Sequence, residues 1–374
     1  MKKDDKIKKN VFLIVFIILC LLFIDLAGQA AYRLIKGRFT WDTYKQYGFD
    51  IFNIRIFTEF VEDDRLVTIK KNFTGEQDNW LIKTDANRFR IGKNKYFNNK
   101  ENFVFLGDSV PFGWGVNGDI NVPSKFYEII KANLGDKYGV INAAIPSYSL
   151  YQSVKRYQFE INRKFPVKYV ILQIYDPAAN FASLGEKWDK RICWTSKNRL
   201  VSSRDIIKAH SCCERFMHKY SSLYHSLNSF IIKSKERKRA LPAMLDLNDK
   251  KAFDFFEQEN NSVLEELYSM LNKDNITFII LPVNLAKPLF DYNSQELLSL
   301  NPLYKATLTA IGSLNQSLKK FALSHKNVYY FDIESYFNKF NRKELFIDSC
   351  HLSEKGSQKQ AEFIFEQLKN NNLL

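Results

Sequence analysis

From residue 102 onward, short apolar runs alternate along the chain with longer segments that are apolar on one side only. The apolar runs cover residues 103–106, 139–142, 169–174, 276–282 and 328–332. Runs of this kind are typical of buried parallel strands, each joined to the next by a helix. The apolar spacing predicts helices at 124–133, 150–164 and 353–368. We therefore predict an α/β fold, with about five parallel strands in one three-layer domain.

The N-terminus has a different pattern, because residues 11–31 are almost continuously apolar and Asp25 is the charged interruption. A bilayer is crossed by roughly 20 such residues. Positive charge is retained on the cytoplasmic side of a membrane, and five lysines precede the run: Lys2, Lys3, Lys6, Lys8 and Lys9. We predict a cytoplasmic segment (1–10), a transmembrane helix (11–31) and an extracytoplasmic, periplasmic remainder of a single-pass inner-membrane protein. Small residues at 27–31 leave a cleaved signal peptide as the alternative.

Two further stretches interrupt the regular alternation. Residues 32–100 carry short apolar pieces separated by polar turns, which indicates an irregular β-rich lead-in to the domain of residues 101–374. Residues 181–250 are rich in Lys, Ser, His and aromatic side chains and form an insertion between the third and fourth strands. Ligands bind at the carboxyl ends of parallel strands, so this insertion either covers the binding site or is a structural excursion without contact to substrate.

The charge and the cysteines restrict the partners. The net charge is +14, but a domain outside the membrane meets little nucleic acid, so anionic lipid headgroups or acidic glycans fit the charge better. The basic run 233–239 is either a solvated loop or a contact with such groups. Of five cysteines, Cys20 lies in the apolar run, and the other four permit disulfides. The cluster at 210–218 lacks the spacing of a zinc site, and we expect neither metal nor cofactor.

Two polar motifs lie near opposite ends of the predicted domain. Gly107-Asp108-Ser109 follows the first strand directly, which presents the serine at the carboxyl edge of the sheet. Asp348 and His351 are three residues apart in a loop before the last helix. A serine hydroxyl needs a base within hydrogen-bond reach and a third group that orients the base. The order of these residues therefore predicts a site in which Ser109, His351 and Asp348 meet.

At these residues the chain resembles the SGNH, or GDSL-type, hydrolase family. The segment 105–116 is similar to the form found in membrane-tethered members associated with bacterial envelope glycans, and Asn87-Arg88-Phe89-Arg90 is similar to their Asn-Gly-Phe-Arg lead-in. The resemblance covers residues 85–370 and implies a flavodoxin-like sheet. It implies that Ser109 attacks an ester carbonyl, that His351 takes and returns the proton, and that Asp348 holds the imidazole.

The resemblance also implies an oxyanion hole built from the backbone N–H of Ser109, a second-block glycine and a third-block asparagine. In the second block, Ser147 or Ala144 stands where glycine is usual, and a backbone N–H survives either change. In the third block, Asn180 is the residue that could supply the missing amide. Asp108 and Asn142 we interpret as a helix cap and a strand-end residue that satisfies backbone groups.

The expected function follows from the resemblance. It is a serine-dependent ester hydrolase or O-acyltransferase that acts on O-acetyl or other O-acyl groups of an extracytoplasmic polysaccharide. A lipid esterase is the next enzyme hypothesis. A catalytically inactive glycan-binding or assembly protein on the same fold is the alternative from a different class.

Overall fold

A computed structural model describes residues 57–175 and 250–374 apart from 62, 64, 66, 78, 79, 294, 297–299 and 301, and in addition residues 178, 181 and part of 12–34. Two compact units divide the chain, and the unit formed by Phe57–Leu200 and Pro242–Leu374 contains the sheet. The described residues of the other unit are helical. Within the described residues, no helix combines the length and the apolar character that crossing a bilayer requires. The predicted span 11–31 is described only in part, and the basic run 233–239 and the 210–218 cluster lie outside the described residues.

Five parallel strands form the central sheet, as the apolar runs predict. They are β5 (Asn102–Gly107), β6 (Gly139–Asn142), β7 (Val167–Gln173), β8 (Thr277–Leu281) and β9 (Val328–Tyr330). Their order across the sheet is β6-β5-β7-β8-β9, with every neighbouring pair parallel. This is a flavodoxin-like order, and its topological switch point lies between β5 and β7, where open α/β sheets bind ligands.

Alternate residues of each strand point to opposite faces of the sheet, and each face has its own core. In β5, Val104 and Leu106 belong to one apolar cluster, while Phe103 and Phe105 belong to the other. All four side chains are buried. A strand with no polar alternation is expected only where helices cover both faces, so the domain has three layers, as predicted.

The helices that cover the two faces come from different parts of the chain. On the first face lie α3 (Leu150–Arg156), α4 (Lys250–Lys273) and α5 (Pro302–Ser324). On the second face lie α2 (Val122–Leu134), α6 (Ile333–Phe337), α7 (Arg342–Leu345) and α8 (Glu354–Asn370). A short helix, α1 (Ser109–Phe112), follows β5. The helices predicted over 124–133 and 353–368 correspond to α2 and α8, whose bounds differ by one or two residues. Helices α4 and α5 were not predicted.

The helix predicted over 150–164 is interrupted. Helix α3 ends at Arg156, and a π-helical turn, Tyr157–Ile161, follows it. The turn carries Glu160, which bonds Arg156 at 3.1 Å, pairs with Arg65 and accepts from the Thr68 hydroxyl at 3.0 Å. The π-helical turn therefore carries the carboxylate that pairs with two buried arginines, Arg65 and Arg156.

Two antiparallel hairpins occupy the stretch before the sheet. They are β1 (Thr58–Phe60) with β2 (Val67–Ile69), and β3 (Thr74–Gln77) with β4 (Trp80–Lys83). The first hairpin is fixed to the α/β core because the Tyr148 hydroxyl donates to the Val67 carbonyl and Glu160 pairs with Arg65. The apolar piece at 49–54 lies outside the described residues.

Candidate active site

Ser109 is presented by a sharp turn at the end of β5. Gly107 ends the strand with a φ of +133°, a conformation that side chains disfavour. A Cβ at this position would lie 1.8 Å from the carbonyl oxygen of Gln173 in β7. Glycine is therefore required both by the backbone angle and by the close approach of the neighbouring strand. The chain turns immediately into α1, and Ser109 is its first residue.

Asp108 holds this turn in place. The side chain is fully buried, and its Oδ1 accepts from the Val110 N–H at 3.2 Å, which caps α1 as the sequence indicates. Its Oδ2 accepts from the backbone N–H of Tyr175, just after β7. One carboxylate thus joins the nucleophile turn to the end of the adjacent strand. Asp108 acts on the position of Ser109 and not on a reacting atom.

The Asp–His pair lies in a loop whose two ends are bridged to each other. Phe346 and Leu352 form an isolated antiparallel bridge, and the Ile347 N–H donates to the His351 carbonyl at 2.9 Å. Within the loop, Asp348 Oδ1 accepts from the His351 N–H at 2.8 Å and from the Cys350 N–H at 2.9 Å. Asp348 Oδ2 lies 2.6 Å from His351 Nδ1. The loop therefore orients the imidazole by itself.

The structure brings the three predicted side chains together. His351 Nε2 lies 2.8 Å from Ser109 Oγ, while Nδ1 faces the carboxylate. Partial burial raises the pKa of Asp348, but the hydrogen bond from His351 and the loop N–H donors outweigh it and lower that pKa to about 2. The carboxylate is therefore ionised at neutral pH. With Nδ1 as the donor to Asp348, Nε2 is left as the acceptor for the Ser109 proton.

The predicted oxyanion donors differ in whether their N–H groups already have a hydrogen-bond acceptor. Ser147 has a φ of +65°, the left-handed region that favours glycine, which accounts for the usual glycine at this position. Among the described residues, the N–H groups of Ser109 and Ser147 have no hydrogen-bond acceptor. The Ala144 N–H, in contrast, donates to the Asn142 Oδ1 at 3.3 Å. Of the two second-block alternatives, Ser147 is the one with an available donor. Asn180 lies outside the described residues.

Asn142 has the role expected of a strand-end residue. It is fully buried at the end of β6, and its Nδ2 lies 3.3 Å from the carbonyl oxygens of both Pro111 and Phe112. The amide therefore satisfies two carbonyls at the end of α1. It supports the helix that begins with Ser109.

Arg90 contributes to the site in a way that the sequence analysis missed. The side chain is fully buried, and its guanidinium donates to the carbonyl oxygens of Phe112 at 2.5 Å, Gly113 at 2.6 Å and Val116 at 2.6 Å. It also stacks on the Phe112 ring, with the guanidinium carbon 4.3 Å from the ring centroid. Burial lowers the pKa of Arg90 to about 9, which leaves it charged at neutral pH. The Asn87-Arg88-Phe89-Arg90 motif is the feature of the sequence that could have pointed to a role for Arg90.

Trp114 is the second residue that the sequence analysis missed. It lies in the segment held by Arg90, and its ring centroid is 6.2 Å from that of His351. The backbone N–H of Trp114 donates to the Ser109 carbonyl at 2.9 Å, and the side chain is half-buried. The family resemblance concerned segment 105–116 as a whole and did not distinguish this aromatic ring from its neighbours.

One group of possible metal ligands occurs in the part of the chain that the structure describes. It consists of Asp348, Cys350 and His351, whose ligand atoms lie within 4.8 Å of one another. The His351 Nδ1 in this group is already hydrogen-bonded to Asp348. A metal at this place would compete with the orientation of the imidazole. Cofactor-free and metal-free chemistry stays a prediction.

No protein-family model and no curated protein matches the chain. Several solved structures do resemble it. A catalytic mutant of an acetylxylan esterase from Geobacillus stearothermophilus is 12% identical with a TM-score of 0.42, over 73% of this chain and 96% of that one. A lipase/acylhydrolase from Enterococcus faecalis is 15% identical with a TM-score of 0.41, over 73% and 97%. A lipolytic G-D-S-L family protein from Veillonella parvula is 12% identical with a TM-score of 0.37, over 71% and 97%. The chemistry assigned to the chain therefore rests on its own site geometry.

Proposed function

We propose that the chain is a serine-dependent ester hydrolase or O-acyltransferase. The observation that carries the proposal is the continuous hydrogen-bonded path from Ser109 Oγ through the His351 ring to Asp348, with lengths of 2.8 and 2.6 Å. A serine alone is a weak nucleophile, and a base that is itself oriented by a carboxylate is what activates it. The three groups come from two distant parts of the chain and meet at the switch point of the sheet.

In the first half of the reaction, Ser109 Oγ attacks the ester carbonyl carbon while His351 Nε2 takes the hydroxyl proton. The carbonyl oxygen becomes negatively charged, and the N–H groups of Ser109 and Ser147 supply hydrogen bonds to it. When the carbon–oxygen bond to the alcohol breaks, His351 returns the proton to the departing alcohol oxygen. The products are a free alcohol and an acyl-serine.

In the second half, a hydroxyl attacks the acyl-serine and His351 again moves the proton. Water as the attacking group gives a carboxylic acid, and a sugar hydroxyl gives a transferred acyl group. Asp348 stays ionised throughout, because its pKa of about 2 is far below that of imidazole. The same three side chains serve both outcomes.

We further propose that the substrate is an O-acylated, most simply O-acetylated, extracytoplasmic polysaccharide and that the chain is held at the inner membrane by residues 11–31. Support for this comes from the sequence: the apolar run, the lysines before it, and the similarity of segment 105–116 to membrane-tethered glycan-associated members of the SGNH family. The net charge of +14 suits an acidic glycan or a membrane surface.

The proposal is tested with the full chain purified in detergent micelles. Hydrolysis of p-nitrophenyl acetate is compared for the parent, Ser109→Ala and Ser349→Ala, the last being an exposed serine in the Asp–His loop. Ser109→Ala should lose at least about a thousandfold in kcat, and Ser349→Ala should stay within about twofold. Mass spectrometry after treatment with a fluorophosphonate should place the single adduct on Ser109.

The same experiment separates the remaining alternatives. Equal rates for the parent and Ser109→Ala, with no adduct, would favour the inactive glycan-binding protein. A lipid esterase would show rates that increase with acyl-chain length in a p-nitrophenyl ester series. Addition of a sugar acceptor to the active protein then separates hydrolysis from transfer, since only a transferase forms an acylated sugar.

A further inference from the structure

We infer that Trp114 forms the subsite for the alcohol part of the ester, and that this alcohol is a sugar ring. The inference rests on the proposed serine-dependent reaction and adds to it the identity of the group on the leaving side. It assigns a binding role to an aromatic ring that the reaction itself does not use.

The position of Trp114 relative to His351 determines which part of the substrate it meets. His351 gives its proton to the departing alcohol oxygen, so this oxygen must lie beside the imidazole. The Trp114 ring lies beside the His351 ring, with centroids 6.2 Å apart and planes inclined by 37°. In the proposed reaction, Trp114 is therefore next to the departing alcohol.

The ring is fixed before any substrate arrives. Gly113 and Gly115, on either side of it, have φ values of +86° and +79°, so the backbone follows a path that other residues disfavour. The backbone N–H of Trp114 donates to the Ser109 carbonyl at 2.9 Å. The Trp80 and Trp114 rings form an edge-to-face pair with centroids 5.2 Å apart. A binding face that is rigid in advance loses little entropy when a ligand docks.

The surroundings of Trp114 suit a sugar better than a hydrocarbon chain. The Trp114 side chain is half-buried, and Ile347, which packs against Gly115, is 48% exposed, so water reaches this part of the surface. The Asp348 side chain on the same loop is 46% exposed. A hydrocarbon chain laid here would remove water from that carboxylate, which is unfavourable. A sugar ring has an apolar C–H face for the indole and hydroxyls that keep the rim hydrated.

The test compares two esters with the same acetyl group and different alcohols. The full chain in detergent is assayed on ethyl acetate and on an acetylated methyl glucoside, as the parent and as Trp114→Ala and Trp114→Phe. Leu323→Ala is the control, because Leu323 is 80% exposed near the end of α5, which leads into the opposite edge of the sheet. Trp114→Ala should raise KM for the sugar ester about tenfold and change KM for ethyl acetate less than twofold. Trp114→Phe should recover most of the affinity.

The results that overturn the inference are distinct from those that overturn the reaction. Equal losses on both esters would mean that Trp114 only supports the fold of the site. A changed preference for acyl-chain length, measured with p-nitrophenyl esters, would place the ring in an acyl pocket. Full activity of Ser109→Ala would refute the serine chemistry itself. Binding of the deacetylated glucoside to the Ser109→Ala protein, weakened at least about fivefold by adding Trp114→Ala, gives a readout that does not depend on turnover.

Discussion

Arg90 is the residue whose removal tests most directly how the nucleophile end of the site is held together. It is a fully buried cation with no carboxylate partner among the described residues, and three backbone carbonyls take its place. Those carbonyls belong to Phe112, Gly113 and Val116, the segment that carries Trp114. Loss of the guanidinium would remove the charged donor from three buried carbonyls. Phe112 would keep the Asn142 amide at 3.3 Å and Gly113 would keep the Val116 N–H at 3.4 Å, whereas the Val116 carbonyl has no other donor among the described residues.

The size of the effect can be worked out from the contacts. A buried carbonyl that loses its donor costs about 1–2 kcal/mol, which applies to Val116, and Phe112 and Gly113 each keep only a longer hydrogen bond from a neutral group. Loss of the stacking on Phe112 and Trp80 adds about 1 kcal/mol. The sum is about 3 kcal/mol. Arg90→Met should therefore lower the free energy of unfolding by about 3 kcal/mol.

The measurement is urea unfolding followed by circular dichroism, with Arg163→Met as the matched control. Arg163 is exposed, so its replacement should change stability by less than about 0.5 kcal/mol. Arg90→Lys should resemble Arg90→Met, because an ammonium group cannot reach three carbonyls as a planar fork does. If Arg90→Met unfolds at the same urea concentration as Arg163→Met, the guanidinium does not hold the segment and the reasoning is refuted.

Four further predictions concern the site itself. Asp348→Asn should lower kcat about 10³- to 10⁴-fold while the far-ultraviolet spectrum stays unchanged, because the acceptor that sets the imidazole tautomer is lost; a fall below tenfold would contradict this. The folded-state pKa of Asp348, about 2, lies below its ordinary value of 3.8. The contribution of this carboxylate to stability is therefore present above about pH 4 and is lost as the pH falls toward 2. The difference in Tm between the parent and Asp348→Asn should disappear over that pH range. Ser147→Gly should keep kcat within about twofold, since the backbone N–H is the donor, whereas a hundredfold loss would point to the hydroxyl. Gly107→Ala should destabilise the fold by about 3 kcal/mol or prevent folding, because its Cβ would lie 1.8 Å from the Gln173 carbonyl, and an unchanged urea midpoint would disprove it.

The sheet could be predicted from the sequence because its strands are buried on both faces. Each strand of the sheet therefore stands out as an apolar run, and all five runs are strands. Helix α5 could not be predicted in the same way. Its sequence contains Gly312 and two β-branched threonines, Thr307 and Thr309, which weaken the helical signal, and its helical state comes from packing against β8 and β9.

The residues of the site also differed in how far the sequence could predict them. The order and spacing of Ser109, Asp348 and His351 were enough to predict that they would meet, because strand ends of a parallel sheet share one edge. The choice between Ala144 and Ser147 needed backbone angles and hydrogen bonds, which a motif does not contain. Arg90 could not be predicted to be buried, since arginine is ordinarily exposed and only the surrounding carbonyls make its burial possible.

The sequence separation between nucleophile and base has a consequence for how the protein becomes active. Ser109 and His351 are 242 residues apart, so their contact is among the most non-local in the molecule. During synthesis the serine is therefore made 242 residues before its base. Loops of this length close late in folding. The proposed serine chemistry therefore requires synthesis at least through the segment from β9 to α8, and a nascent chain that stops before this segment would carry an inert serine.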